Sequence, residues 1–417
     1  MRRTTTAVVG ALAVMMVAAC GSDSGSGSGG GGEITGTVTM WTNPIYDENA
    51  MREHYEQQAA EFMEEHPGVD VDITVNPWQG AQEQLTAALA AGEGPDVAYL
   101  IPDRIPTLAS QDLLTPLGAA LGEDREDFHD NALEAVTYDG EIYAVPVLQS
   151  VIPQVYDKRV LDAAGVGEPP TTWDAFLEAA EKVQAAGYYM TEYPGHLEMT
   201  LNISFYPWLH QAGGSVFADD GESVAFNSPE GVEALEYLTS LVENGYTPSG
   251  AISEPSNIEQ SEVSRGNVAQ VSAEPQRLIE LWGAENVLVA PPLENREQVA
   301  YGTVGAYGVL STTDNTDAAQ AWVNWISRPE ALREFDVESG YFAPRRSLDD
   351  LYADDPVLGD VEKLIPMTST FGPHPAKSVE VMTTLRVEVQ AALLGRKSPA
   401  EALADAEAEA NRILAAG

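Results

Sequence analysis

Two tryptophans, each accompanied by an amide side chain, stand at the ends of the first two β-rich runs of the chain. Trp41 and Asn43 belong to the end of the first run, and Trp78 and Gln79 follow Val69–Val75. An indole ring presents a flat apolar face and an amide presents a donor and an acceptor, which suits non-covalent recognition of a polar molecule. Because α/β sheets bind ligands beyond the carboxyl ends of their strands, we expect these residues at a ligand crevice. Packing in the core is the alternative role for each tryptophan.

The N-terminus combines Arg2 and Arg3, an apolar stretch and the chain's single cysteine. The apolar stretch, residues 7–19, is shorter than the roughly 20 residues needed to span a bilayer, so it predicts a signal peptide. Small residues before Cys20 resemble the lipobox at which a diacylglycerol is attached and the signal is cleaved. We therefore predict a signal peptide over residues 1–19 and a lipid on Cys20. Export by the general or by the twin-arginine route is left open.

Residues 21–32 consist almost entirely of glycine and serine. A segment of this composition cannot bury a core and behaves as a flexible linker that reaches roughly 20 Å. We therefore expect residues 20–32 to tether the folded body to the outer face of the cytoplasmic membrane, outside the cell.

Acidic residues dominate the composition, since 65 aspartates and glutamates oppose 21 lysines and arginines for a formal net charge of −44. A field of this sign repels phosphate backbones, so we expect no nucleic-acid partner. The acidic runs lack the ligand loop of a calcium site, and the six histidines show no zinc spacing. We predict no metal and no other cofactor. The sequence also lacks a nucleophile elbow, a zincin helix and a phosphate-binding loop, which argues against an enzyme.

Strand-like and helix-like segments alternate along the N-terminal part of the chain. Periodicity predicts helices over Glu48–Glu65 and 82–91, and strands over Val69–Val75 and 95–100. This order predicts an α/β fold with a parallel or mixed sheet covered by helices on both faces. A chain of this length exceeds one ordinary domain, so we expect two lobes.

Two later helices carry explicit start signals. Ser228 and Pro229 predict an N-cap and a first turn, and Ser398 with Glu401 forms a capping-box pattern that opens the final helix. The apolar stripes behind these caps are assigned to the core and not to a function.

Six motifs in a fixed order carry a family resemblance over residues 33–417. They are AGEGPDV (91–97), YDGEIYAVP (138–146), PPTTWDAF (169–176), QAGG (211–214), FNSPEG (226–231) and GRKSPAEAL (395–403). In this order they resemble the family 1 extracellular solute-binding proteins, the group that includes maltose-binding protein. The resemblance implies a class II periplasmic-binding-protein-like fold, with a ligand cleft between two α/β lobes that close about a hinge.

The same resemblance implies a division of the chain and a set of partners. Crossover segments are expected near 148–153, 303–309 and 343–346. The lobes are then an N-terminal lobe (33–148 and 304–344) and a C-terminal lobe (149–303 and 345–417). A ligand that contacts both lobes favours the closed state, which the permease subunits of an ABC importer would receive. We expect a monomer that binds a small-molecule sugar and delivers it unaltered.

The resemblance also places candidate ligand contacts. Asp103 and Arg104 follow the third strand at the spacing of an Asp-Arg pair that contacts sugar in the family, where the carboxylate accepts from adjacent hydroxyls and the arginine donates. A surface ion pair is the alternative. The further candidates lie near a crossover or in segments that supply contacts in relatives: Gln149, Ser150, Trp208, Glu274, Gln276, Tyr301, Tyr307, Arg345, Phe371, His374 and Arg386.

Departures from the family pattern bear on the ligand. Glu274 and Gln276 stand where the family usually shows a glycine and a tryptophan, and Gln149 lies where a relative supplies a glutamate. These changes favour a small or polar sugar over a long maltodextrin. Arg345 would also suit an anion such as a glycerol phosphate, and a peptide or a polyamine receptor would keep the same transport role. A secreted glycosidase and a surface adhesin are the candidates from other classes.

Overall fold

The computed structural model describes residues 34–218, 220–254, 258–372, 375 and 377–415. The predicted signal peptide, the predicted lipidation site Cys20, the predicted tether and His374 lie outside the described residues. The strands are β1 Gly36–Thr42, β2 Val69–Val75, β3 Val97–Leu100, β4 Thr137–Tyr138, β5 Glu141–Ile142, β6 Ala144–Gln149, β7 Gln154–Asp157, β8 Tyr189–Thr191, β9 Val268–Ser272, β10 Val287–Ala290, β11 Ala300–Tyr301, β12 Val304–Val309 and β13 Thr368–Ser369.

The α-helices are α1 Glu48–Glu65, α2 Ala81–Ala91, α3 Ile105–Ala109, α4 Gly118–Leu121, α5 Asp130–Glu134, α6 Lys158–Ala163, α7 Trp173–Ala185, α8 Tyr206–Gln211, α9 Pro229–Glu243, α10 Gly250–Ser253, α11 Pro275–Trp282, α12 Thr316–Ile326, α13 Pro329–Ser339, α14 Leu358–Glu362, α15 Ser378–Leu393 and α16 Pro399–Ala415. In the part of the chain that the structure describes, no helix combines the length and the apolarity needed to cross a membrane.

The first sheet has five strands in the order β2-β1-β3-β12-β6. β1 pairs in parallel with β2 and with β3, and α1 and α2 make the connections, because parallel neighbours require a crossover segment. β12 arrives from a distant part of the chain and pairs antiparallel with β3 and with β6. The predicted mixed α/β sheet is confirmed, and the predicted bounds of α1 and β2 are those of the structure.

The second sheet has four strands in the order β10-β7-β9-β8. β7 is antiparallel to β9 and to β10, whereas β8 runs parallel to β9. The Ser228 side chain accepts a hydrogen bond from the Gly231 amide at the start of α9, and Ser398 and Glu401 bond each other reciprocally at the start of α16. Both predicted helix caps are therefore confirmed.

Each sheet lies in its own hydrophobic core. The first core draws on residues from Val38 to Leu148 and from Val304 to Leu348. The second core draws on residues from Tyr156 to Leu293 and from Phe371 to Ala410. The chain therefore forms two α/β lobes, called here the first lobe and the second lobe.

Two crossings between the lobes lie where they were expected. The first runs from the end of β6 at Gln149 to the start of β7 at Gln154, and the second is the step from β11 to β12. The crossings are bonded to one another and to Phe342. Gln149 and Phe342 exchange backbone hydrogen bonds of 2.6 and 2.9 Å, and the Ser150 amide donates to the Thr303 carbonyl at 3.0 Å. The hinge is thus a hydrogen-bonded bundle of extended chain.

The third crossing lies later than the expected segment 343–346. Ala343 and Leu348 both belong to the first core, so the chain leaves the first lobe only after Leu348. It then enters a small apolar cluster between the lobes, called here the hinge cluster, whose members are Val151, Ala300, Phe342, Tyr352, Val361, Leu364 and Ile365. The boundary expected from the family resemblance was therefore too early, because residues 343–348 still pack in the first core.

Candidate functional site

A cavity of about 270 Å³, called here the first-lobe cavity, lies at the carboxyl ends of β1, β2 and β3. Trp41, Asn43, Trp78 and Arg104 all line it, as expected for residues that follow neighbouring strands. Gln79 is exposed and does not line this cavity. Three lining residues that the sequence did not single out are Thr42, Asn76 and Tyr99.

Trp78 presents an aromatic face to this cavity. Its indole nitrogen donates to the Pro44 carbonyl at 2.8 Å, and its ring meets the Tyr99 ring edge-on with the centroids 5.8 Å apart. Asn43 donates to the Asn76 carbonyl at 2.9 Å, which ties together the chain beyond β1 and beyond β2. With its one donor satisfied and its side chain 51% exposed, Trp78 keeps ring surface available for a ligand.

Tyr99 is the residue behind Trp78, and the neighbouring strand β12 is shaped to admit it. A side chain at Gly305 would collide with the Tyr99 hydroxyl and with Leu148, so glycine is needed there for close packing and not for a hinge. The Tyr99 ring packs edge-on against Tyr307 at 5.5 Å. Burial raises the pKa of Tyr99, so its hydroxyl is neutral and is able both to donate and to accept.

Tyr307 packs behind Tyr99, inside the first core. It was expected to contact ligand, but its ring is fully buried in the first core. Its hydroxyl lies 2.6 Å from the Thr42 hydroxyl and donates to the Tyr55 hydroxyl at 2.9 Å. The structure therefore corrects the expectation for Tyr307, because its polar atom is occupied inside the lobe.

Asp103 faces tyrosines of the second lobe across the cleft. It belongs to the 3₁₀ turn Pro102–Arg104 that follows β3. Burial raises the pKa values of Tyr206 and Tyr301, and the negative charge of Asp103 raises both further. The negative charge of one first-lobe carboxylate therefore acts on two neutral phenols of the second lobe, of which Tyr206 is buried and Tyr301 is half-buried. Arg104 donates to the Thr86 hydroxyl at 3.2 Å, which directs it toward α2.

The second-lobe wall around Tyr301 contains hydrogen-bonding capacity that the lobe itself does not use. Asn202 donates to the Tyr301 hydroxyl at 3.5 Å, and its side-chain oxygen is buried with no partner among the described residues. Buried amide oxygens normally have partners, so this oxygen is a candidate acceptor for a ligand group. The sequence missed Asn202, because it stands neither at the end of a strand nor in a recognised motif. Among the aromatic residues of 205–208, the sequence singled out Trp208 and not Tyr206.

Two predicted aromatic contacts of the second lobe are packed instead. Trp208 is 9% exposed and stacks on Tyr237 with ring centroids 5.2 Å apart, close to Trp173. Phe371 is buried and stacks on His210 at 4.4 Å. Phe371 is therefore a residue of the second core, whereas Trp208 belongs to that core and also lines a cavity of about 30 Å³ together with Tyr301.

Arg345 is also corrected. Its guanidinium is buried, donates to the Ser327 carbonyl at 2.6 Å and to Asp127 at 3.2 Å, and lies over the Phe128 ring. A guanidinium with these partners holds the first lobe together and is not available to an anionic ligand.

Gln149 and Ser150 lie in the hinge, as expected for the first crossing. The Gln149 side chain is fully buried, and neither its oxygen nor its nitrogen has a partner within the described residues. The Ser150 hydroxyl accepts from the Thr303 amide at 3.3 Å. Ser150 therefore bonds two crossings together, whereas the Gln149 amide keeps its hydrogen-bonding capacity.

The last candidates lie at the margin of the site. Glu274 and Gln276 are exposed at the start of α11. Burial raises the pKa of Tyr341 in the first lobe, and the charge of Glu274 in the second lobe raises it further. Arg386 donates to the Met199 carbonyl at 3.4 Å, and its Nε is buried without a partner in the described chain.

The arrangement is suited to binding. Its polar groups are one carboxylate opposite neutral phenols and amides, and the described residues contain no group of three side chains that could hold a metal ion. An exposed indole on one wall and hydrogen-bonding groups on the other match a flat molecule with a polar rim. A cleft that contacts its ligand from both lobes couples binding to closure.

Comparison with known families decides the affiliation of the chain. The profile of the family described as bacterial extracellular solute-binding protein matches residues 57–359. The chain belongs to this family. The match covers four of the five strands of the first sheet, all but β1, and all four strands of the second sheet. The extracellular solute-binding proteins therefore account for the two-lobed architecture.

Individual family members resemble this one at moderate identity. The maltotriose-binding protein of Pyrococcus abyssi is 27% identical over 318 residues, which is 74% of this chain and 66% of that protein. The diacetylchitobiose-binding protein of Streptomyces coelicolor is 29% identical over 234 residues, 54% of this chain and 50% of that protein. The cyclic α-maltosyl-1,6-maltose-binding protein of Arthrobacter globiformis superposes with a TM-score of 0.79 at 22% identity, covering 92% of this chain and all of that one. The last likeness shows the shared fold.

Proposed function

We propose that this protein is the receptor of an ABC importer and that it binds a carbohydrate in the cleft between its lobes. The observation that carries the proposal is the cavity at the carboxyl ends of β1, β2 and β3, which is lined by Trp41, Asn43 and the half-exposed Trp78 ring. Asp103 follows the same sheet edge, and its charge acts on Tyr206 and Tyr301 of the second lobe. Sugars present C–H patches that pack on an aromatic face and hydroxyls that bond to carboxylates, phenols and amides.

Relatives and charges both support a neutral sugar over the alternatives. Family members of similar sequence are named for binding maltotriose and diacetylchitobiose. An anion such as glycerol phosphate is disfavoured, because Arg345 is engaged with Asp127 and Asp103 would repel it. A polyamine would require several converging carboxylates, whereas the groups that face Asp103 are phenols.

The remaining features of the proposal concern location and action. The protein is exported by the signal peptide over residues 1–19, anchored by a lipid on Cys20 and held away from the membrane by residues 21–32. It acts as a monomer without a catalytic step, and its closed form docks on the permease subunits. The N-terminal lobe extends over 33–148 and 304–348, and the C-terminal lobe comprises 149–303 and the chain after residue 348.

Ligand-induced thermal stabilisation tests the proposed function. The mature chain with Cys20→Ser, which keeps it soluble, is screened against neutral sugars, glycerol phosphates and polyamines. A ligand that binds only the folded state raises the melting temperature. We expect one family of neutral sugars to do so and the bound sugar to be recovered unaltered.

The site assignment needs a matched pair of variants. Asp103→Asn keeps the shape but removes the charge, and should weaken sugar binding by about 1.5–3 kcal/mol, the range for hydrogen bonds to charged groups. Asp354→Asn, at an exposed position away from the cleft, should leave binding unchanged. Stabilisation by an anion or a cation with no response to sugars would overturn the carbohydrate assignment, and hydrolysis of the sugar would overturn the receptor role.

The anchor is tested separately in cells. With the full chain, we expect the protein in the membrane fraction with an acylated N-terminal cysteine by mass spectrometry, and Cys20→Ala should release it. Membrane association that survives Cys20→Ala would contradict lipidation at this residue.

A further inference from the structure

A second and larger cavity, of about 830 Å³, lies between the lobes and is called here the inter-lobe cavity. The first lobe contributes lining residues within 102–110 and 131–139, and the chain of the second lobe contributes Asp220, Gly221 and residues 368–370. Asn131 of α5 donates to the Thr368 hydroxyl at 2.7 Å and to the Ile365 carbonyl at 2.9 Å. The first-lobe and second-lobe sides of the cavity are therefore hydrogen-bonded to each other.

The turn that carries Asp103 contributes lining residues to both cavities. Ile101 and Arg104 border the first-lobe cavity, while Pro102 and Pro106 border the inter-lobe cavity. Asp103 lies between them in the chain and faces Tyr206 and Tyr301. A ligand bound at Asp103 therefore has room on both sides of the turn.

The inter-lobe cavity has an aromatic residue of its own. Tyr138 lines it from the end of β4, which pairs with β5 through a two-residue turn. The turn residues Asp139 and Gly140 have φ values of 49° and 81°, and two positive φ values in succession define the tight type I′ hairpin. This hairpin, part of the YDGEIYAVP motif, holds the half-buried Tyr138 ring at a fixed place on the wall.

The remaining lining suits a neutral polyhydroxylated chain. Hydroxyl side chains recur around it, namely Thr107, Ser110, Thr137, Thr368, Ser369 and Thr370. Its charged lining residues are Glu134, Asp139 and Asp220, and no lysine or arginine is among the described residues that line it. Carboxylates accept hydrogen bonds from sugar hydroxyls but repel phosphate, so a phosphorylated sugar is excluded on charge.

The two volumes set the size of the ligand. Pockets for small organic ligands range over about 300–1,000 Å³. The first-lobe cavity, at about 270 Å³, lies just under this range, whereas the inter-lobe cavity, at about 830 Å³, lies in its upper part. Of the two cavities that this turn borders, the inter-lobe cavity is thus about three times the larger.

We infer that the ligand is a linear oligosaccharide that passes Asp103 and occupies both cavities, with Tyr138 supporting the sugar units farthest from Trp78. This inference rests on the proposed carbohydrate-binding function. The oligosaccharide inference replaces the sequence-based preference for a small sugar. That preference followed from the lost aromatic positions near Glu274 and did not consider the residues that line the inter-lobe cavity.

Calorimetric titration with sugars of increasing length tests the inference. The probes are linear gluco-, chito- and arabino-oligosaccharides of one to six units, titrated into the mature chain carrying Cys20→Ser. In the series that binds, affinity should rise by at least about tenfold between the disaccharide and the tetrasaccharide, equivalent to about 1.4 kcal/mol of added contact.

Two variants on separate elements localise the added contact. Tyr138→Ala should abolish the rise with length while disaccharide affinity stays within about twofold. Ser110→Trp, at an exposed position after α3, should do the same by filling the cavity, without removing any buried contact. Ser253→Trp, at an exposed position of α10 in the second lobe, is the control and should alter neither value.

The outcomes separate the inference from the function on which it rests. Equal affinity for all lengths, or a rise with length that survives in both Tyr138→Ala and Ser110→Trp, would overturn the oligosaccharide inference while leaving the sugar receptor intact. Absence of binding by every sugar in all three series would overturn both.

Discussion

The two walls of the cleft are built in different ways. The first-lobe wall stands on the ends of three sheet strands, and its Trp78 ring is half exposed. The second-lobe wall draws on Asn202 and Tyr206, which lie outside the second sheet, and on Tyr301 beside a crossing. The first wall offers ring surface and the second offers phenols and an unpaired amide oxygen. The first lobe therefore supplies stacking and the Asp103 carboxylate, and the second lobe supplies phenols and an amide oxygen, so a ligand gains all of these contacts only when the lobes close.

The largest expected loss of stability comes from the tryptophan of the second lobe, Trp208, compared with Trp78 of the first lobe. Trp208→Ala removes a ring that is 9% exposed and should lower the free energy of unfolding by about 3–5 kcal/mol. Trp78→Ala removes a half-exposed ring with one hydrogen bond and should cost less than about 1.5 kcal/mol of stability. Its effect should fall on sugar affinity, by about 1–2 kcal/mol. Calorimetry of unfolding and of binding checks both. Similar stability losses for the two variants would contradict the assignment of Trp208 to the core.

The same contrast explains what the sequence could predict. Trp41, Asn43, Trp78 and Arg104 share one cavity because the carboxyl ends of neighbouring parallel strands meet at one sheet edge, whatever the side-chain details. No such rule exists for the second wall. There the positions depend on how segments outside the sheet pack in three dimensions.

One short helix illustrates the limit. Tyr206 and Trp208 stand two residues apart in α8, and both are packed in the second core, yet only Trp208 also lines a small cavity beside Tyr301. A six-residue helix has too few turns for an apolar stripe to reveal its buried face. For Arg345, the misleading signal was its place near a crossing, since its partner Asp127 lies more than two hundred residues earlier in the chain.

Lowering the pH should destabilise the second lobe, because this lobe holds the His210 side chain in its neutral form. Burial lowers the pKa of His210 from 6.5 to about 4, and its Nε2 has no partner in the described chain. Between these values the unfolded chain binds more protons, so stability present above pH 6.5 is lost as the pH falls toward 4. A shift of this size corresponds to roughly 3 kcal/mol.

The comparison of His210→Gln with the parent protein isolates this contribution from other titrating groups. Scanning calorimetry from pH 7.5 to 4.5 should show a shallower loss of stability for His210→Gln. His66→Gln, after α1 in the first lobe, is the matched control. Identical pH profiles for the parent protein and His210→Gln would show that this histidine is not held neutral by the second lobe.

A smaller loss of stability should follow when a methyl group is added at Gly305, next to Tyr99 in the first-lobe wall. The added methyl group of Gly305→Ala meets the Tyr99 hydroxyl and lies 2.8 Å from Leu148 Cγ, so both side chains must move. Overpacking of this kind costs about 1–3 kcal/mol. Displacement of Tyr99 should also weaken sugar binding, because the Trp78 ring packs edge-on against the Tyr99 ring.

Gly118→Ala provides the control for that experiment. A methyl group at Gly118, also in the first lobe, meets nothing within 4 Å. Thermal unfolding and sugar titration of the two variants check the difference. Equal stability of both would show that β12 does not need glycine to seat Tyr99.

The smallest effect concerns the link between the walls. Asn131→Ala removes the hydrogen bonds to Thr368 and Ile365 and should cost about 1 kcal/mol. Asn324→Ala removes a bond of similar length, 2.9 Å to the Ala120 carbonyl, inside the first lobe. Small-angle X-ray scattering should therefore show a larger radius of gyration for Asn131→Ala alone. An increase in both variants, or in neither, would contradict a role for Asn131 in holding the lobes together.

The position of β12 has a consequence for the order in which the chain acquires its structure. In the described sheets β6 pairs only with β12, and β12 is synthesised after every strand of the second sheet. β6 and β12 are separated by more than 150 residues. Bringing them together costs loop-closure entropy before any stabilising contact forms, so this pairing is slow. We therefore expect the lobe that begins first in the sequence to finish folding last. Until residues 304–309 are released, it presents two unpaired strand edges, during the interval when an exported chain is most exposed to aggregation.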